Sequence, residues 1–101
     1  MTRSLLERKL SSATFRLKSL REELAVVDEQ LSSLVEAADD ARLRALVSET
    51  PVSGQEHREA QRHADAMARH RAELAVRIGR LERSQDELLD RLMAEIGMAP
   101  H

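Results

Sequence analysis

From Leu6 to Ala45 an apolar or small residue recurs every three or four positions without a break: Leu6, Leu10, Ala13, Leu17, Leu20, Leu24, Val27, Leu31, Leu34, Ala38, Ala41 and Ala45. A 4-3 spacing held this long averages about 3.5 residues, the period of a left-handed coiled-coil seam, and it excludes the period of two that a half-buried strand requires. With Leu10 at heptad position a, the a positions are Leu10, Leu17, Leu24, Leu31, Ala38 and Ala45. The d positions are Leu6, Ala13, Leu20, Val27, Leu34 and Ala41. The same spacing returns at Ala60, Ala64, Met67, Arg71, Leu74, Ile78, Leu81, Gln85, Leu88 and Leu92, with Arg71 and Gln85 as polar intrusions.

The stretch between the two periodic segments, Glu49 to Glu56, reads as a turn. Pro51 lacks the donor that a continuing helix needs and disfavours helical geometry at Thr50, so the first helix should stop near Glu49. Ser53 followed by Glu56 has the form of a capping box opening the second helix, and Ser4 with Glu7 repeats that form at the start of the first. Gly97 is the expected left-handed residue closing the second helix, with Pro100 beyond it. The expected elements are a helix over 4–49, a turn over 50–53, a helix over 54–96 and a frayed tail over 97–101. Each helix would then be about 65 Å long.

Composition agrees with one helical domain. The 101 residues include 42% hydrophobic and 34% charged side chains, three glycines, two prolines and a single aromatic, Phe15. No cysteine is present, which removes disulfides, thiol catalysis and thiolate metal sites and points to a reducing compartment, the cytoplasm. The longest apolar run, Leu24 to Val27, is too short for a membrane span or the core of a secretory leader.

An antiparallel hairpin places each a residue in a layer with a d residue, so paired numbers must share one sum. A sum of 105, twice the turn centre, pairs Ala45 with Ala60, Ala41 with Ala64, Ala38 with Met67, Leu34 with Arg71, Leu20 with Gln85 and Leu17 with Leu88. Both heptad registers, read independently, therefore agree with the turn. Charge supplies a second test: residues 1–21 carry six basic and one acidic side chain, whereas residues 22–41 carry seven acidic and none basic. Folding back sets each block against its opposite, with Arg21 and Glu82 as an expected flanking pair. The fold class is all-α, an antiparallel two-helix coiled-coil hairpin. A single seam leaves most of such a hairpin wet, so further burial is expected from a second chain, giving a homodimeric four-helix bundle.

Catalytic and metal-binding patterns are missing from the sequence. His57, His63 and His70 are separated by six and seven residues, not by the three or four that put ligands on one helix face, and Glu59 with His63 is the one i,i+4 combination. The glycines are isolated, the acidic pairs Glu22-Glu23 and Asp39-Asp40 point to different sides of a helix, and no nucleophile motif occurs. No enzyme activity, cofactor or metal is expected. Arginines outnumber lysines fourteen to two, but the basic blocks face acidic ones and stacking aromatics are lacking, so nucleic-acid association ranks last among the readings.

The expected role is a non-enzymatic interaction or regulatory module docking on a protein partner through a helix face or a hairpin end. Apolar residues outside the seam mark two candidate surfaces. Leu5, Phe15, Leu89, Met93 and Ile96, at the open end, are assigned to self-association. Leu43, Leu46, Val47 and Val52, with Glu49 and Glu56, surround the turn and are assigned to a protein partner. A hairpin tip bearing Asp39, Asp40, Glu49 and Glu56 is also similar in outline to coiled-coil transcription factors that present acidic residues inside the polymerase secondary channel. That likeness covers architecture and tip charge and no sequence motif, and it implies the alternative of a regulator acting on RNA polymerase or a sigma factor.

Overall fold

The computed structural model describes residues 2–97. It contains two helices, α1 (Arg3–Ser48) and α2 (Pro51–Glu95), packed against each other as a hairpin. Burial follows the seam. Along α1 every seam position from Leu6 to Ala45, and otherwise only Leu5, is withdrawn from full exposure. Along α2 all the seam positions from Ala60 to Leu92 are at least partly buried, Arg71 and Gln85 included. Burial at α2 also reaches Ser53, Gly54 and His57 at its start, and Gly79, Ser84 and Met93 further on. Ser53 and His57 continue the 4-3 spacing backwards from Ala60 and Ala64, so the seam runs nearly to the turn.

The helix starts differ from those the capping motifs suggest. Helix α2 begins at Pro51, three residues earlier than expected, because Thr50 and not Ser53 is its cap. The Ser53 N–H donates to Thr50 Oγ1 at 3.1 Å, and the Thr50 N–H donates back to Ser53 Oγ at 3.3 Å. The Ser53 hydroxyl also donates to the Thr50 carbonyl at 3.0 Å. This is a reciprocal box with serine standing where glutamate usually does. Pro51 then occupies the first helical position, where its missing donor costs nothing and its fixed φ suits the helix. Helix α1 likewise starts from Thr2, whose Oγ1 accepts from the Leu5 N–H at 3.2 Å, and not from Ser4.

Only Glu49 and Thr50 remain as connection. Glu49 takes φ 51°, the left-handed region, and its N–H closes the last turn of α1 on the Ala45 carbonyl at 3.0 Å. Helix α2 ends as expected: Gly97 has φ 80° and its N–H returns to the Ala94 carbonyl at 3.2 Å. Pro100 and the rest of the expected tail lie outside the described residues.

Two compact units make up the chain. The first combines residues 1–23 with 74–101 and holds the large fully buried side chains Leu6, Leu17 and Leu74. The second, Leu24–Glu73, contains the turn. Its core is narrower in side chain, with Ala38, Ala41 and Ala64 each 3% exposed. Alanine layers let helix axes approach to about 8 Å, so near the turn small side chains permit close packing, while Val27, Leu31 and Leu34 supply the larger burial of the same unit. Among the described residues no helix is long and apolar enough to cross a membrane.

Candidate interaction surfaces

The polar seam residues are accommodated by leaving the seam sideways. In the turn-containing unit Arg71 donates from Nε to Asp28 Oδ1. In the other unit Gln85 donates from Nε2 to Thr14 Oγ1 at 2.9 Å. Asp28 and Thr14 both occupy heptad position e of α1, two heptads apart, as Arg71 and Gln85 are on α2. Each long side chain thus covers the seam with its stem and places its polar end at the rim, as snorkelling residues do. The hydrogen bond and charge of Asp28 raise the Arg71 pKa from its ordinary value. Arg21, also at position e, pairs with Glu82 at 3.0 Å, as expected from the charge pattern.

At the open end the five residues assigned to self-association fall in one unit. Phe15 is 74% exposed, and Leu89 and Ile96 are also exposed, whereas Leu5 and Met93 are half-buried. Phe15 borders an open groove of about 480 Å³ along α1, lined also by Glu7, Leu10, Ser11, Thr14, Lys18 and, from α2, Leu92. Leu5, Leu89, Met93 and Ile96 do not line it. A second groove of about 280 Å³ lies on the other side of Phe15. The ring therefore stands on a ridge between two depressions. Periodicity shows that residue 15 faces outward, but the groove depends on how α2 sits against α1.

Around the turn Leu43, Leu46, Val47 and Val52 are all exposed, Val47 by 86%. Leu43, Leu46 and Val47 share one face of the last turns of α1, and Val52 is the second residue of α2. Glu49 and Glu56 are exposed beside them. Val76, 52% exposed, is an outward apolar residue that the sequence reading passed over; its position between the seam residues Leu74 and Ile78 was the available signal.

His63 and His70 stand one heptad apart and line a third groove, about 340 Å³, with Leu34, Ala66 and Met67. His57 lies apart from it as a partly buried extension of the seam. Among the described residues no group of three or more His, Asp or Glu side chains is gathered as a metal site would need, and every buried side-chain nitrogen or oxygen there has a hydrogen-bond partner.

No family model, curated protein or solved structure matches the chain significantly.

Proposed function

We propose that this chain is a non-enzymatic coiled-coil hairpin that works as an interaction module, associating with a second copy and docking on a protein partner. One observation carries the reading. The two helices already satisfy their seam with each other, yet Phe15, Leu43, Leu46, Val47, Val52 and Leu89 still stand in water. Single exposed apolar residues are ordinary, but several around one two-residue turn, and an aromatic ridge flanked by grooves, are the features of docking surfaces. The open end serves self-association and the turn end faces the partner.

Light scattering coupled to size exclusion, over a wide concentration range, tests the first half. Affinity capture from the native cell with the wild-type chain and with Leu46→Glu plus Val47→Glu tests the second. A partner retained by the wild type and lost by the variant supports the turn end as its site. Capture of polymerase subunits or a sigma factor, lost on Glu49→Ala plus Glu56→Ala, would replace this reading with a transcription regulator. Retention on heparin that falls steeply with salt would replace it with a nucleic-acid binder.

A further inference from the structure

The outward face of α1 beside Phe15 carries a second stripe with coiled-coil spacing, formed by Ser4, Glu7, Ser11, Thr14, Lys18 and Arg21. The groove of about 480 Å³ runs along its middle, from Glu7 to Lys18. The chemistry of this stripe is inverted about its centre. Residues whose numbers sum to 25 are Ser4 with Arg21, Glu7 with Lys18 and Ser11 with Thr14. An antiparallel helix pair brings together residues of constant sum, the rule that the Arg21–Glu82 flank of this hairpin obeys within two residues of the seam value. A second α1 laid antiparallel along the groove would therefore set Glu7 of each copy against Lys18 of the other, with the small hydroxyls of Ser11 and Thr14 between. Two unlike-charge pairs form, each Lys18 joining the Arg3 that already donates to Glu7 at 3.1 Å on its own helix.

We propose that the self-association surface is this groove, filled by α1 of a second copy about a two-fold axis passing between Ser12 and Ala13. The inference rests on the self-association reading above and relocates it from Leu89, Met93 and Ile96 to the face of α1. A two-fold contact must be complementary to itself, and the inverted order of charges meets that condition. Small side chains at the centre permit close axial approach. The flank adds an aromatic contact. In the hairpin the rim pair Arg21 with Glu82 falls two below the seam sum, whereas the seam-to-rim pairs Arg71 with Asp28 and Gln85 with Thr14 fall six below; the first offset, applied here, brings Phe15 of each copy level with Arg8 of the other, both exposed. A guanidinium over a phenyl face is attractive and covers the ring that otherwise stands in water. Leu10 and Leu92 provide the apolar wall on the opposite side of the groove.

Charge reversal tests this geometry, because opposite single variants complement each other only if Glu7 and Lys18 meet across copies. Lys18→Glu leaves acids at both positions and Glu7→Lys leaves bases at both, so each alone should weaken dimerisation at least about tenfold at low salt. Mixed in equal amounts the two variants should form a heterodimer, and the doubly reversed chain should recover the homodimer. Light scattering and sedimentation read the assembly, and circular dichroism verifies that each variant keeps its helix. A wild-type chain that stays monomeric overturns self-association and this interface together. A wild-type dimer indifferent to either reversal, but dissociated by Leu89→Glu, leaves self-association standing and overturns the interface.

Discussion

Arg71 and Asp28, 43 residues apart in sequence, join across the hairpin at the rim of the seam, and Gln85 and Thr14 repeat the arrangement two heptads away. Both acceptors lie at exposed positions, so breaking either contact returns a polar group to water and orphans nothing. Replacing the long polar side chain by leucine adds apolar burial at a seam position. Arg71→Leu and Gln85→Leu are each expected to raise unfolding free energy by about 1 kcal/mol. Urea midpoints at unchanged slope measure this. A loss of stability in both variants would show that these contacts hold the hairpin together. The raised Arg71 pKa means that its charged form is favoured by folding. That contribution is complete below the ordinary arginine range and fades only as pH rises through the folded value, so it is constant near neutrality.

The left-handed Glu49 is a place where the backbone and the residue disagree. A side chain with a Cβ costs about 1–2 kcal/mol in this region, and glycine's greater freedom in the unfolded chain takes back about 0.5–1 kcal/mol. Glu49→Gly should therefore gain about 0.5–1 kcal/mol, and Glu49→Val should lose stability because a branched Cβ is worse there. If glycine and valine prove equal, the turn does not hold φ 51° in solution.

The alanine layers and the leucine layers should respond in opposite ways to a change of size. Leu17 is 1% exposed, and Leu17→Ala should cost about 2–4 kcal/mol by emptying its site. Ala41 is 3% exposed among other small residues, and Ala41→Leu should cost about 1–3 kcal/mol by forcing the helices apart. Thermal unfolding of the two variants decides the matter. An Ala41→Leu chain as stable as the wild type would mean that the helices near the turn have room between them.

Thr50 and Ser53 act as one cap. Removing the Thr50 side chain should cost about 1 kcal/mol, and Ser53→Ala should cost a similar amount because it takes away the reciprocal acceptor. Since each serves the other, the double variant should lose clearly less than the sum of the single losses. Additive losses in denaturant titrations would show that the two side chains act independently.

The helical class, the hairpin, the turn near Pro51 and the membership of the seam were legible in the residues because a helix converts spacing directly into a face. Leu6 to Ala45 could be sorted into inside and outside without any knowledge of what lay opposite. The failures were local in origin. Ser53 with Glu56 and Ser4 with Glu7 have the form of capping boxes, but Thr50 and Thr2 stand upstream of them with equally good oxygens, and Pro51 is better placed as a first helical residue than as a turn residue. Sequence pattern cannot rank such neighbours, because the choice turns on a few hydrogen bonds of similar strength.

Periodicity also reveals which residues leave the seam, but not to which side. That Arg71 reaches Asp28, that Gln85 reaches Thr14, and that Phe15 overlooks a groove walled by Leu92 depend on where the second helix sits beside the first. Heptad spacing is a property of one helix, whereas a rim contact or a groove is a property of two. The residues alone determined which stripe each helix buries, and their packing decided what stands at its edges.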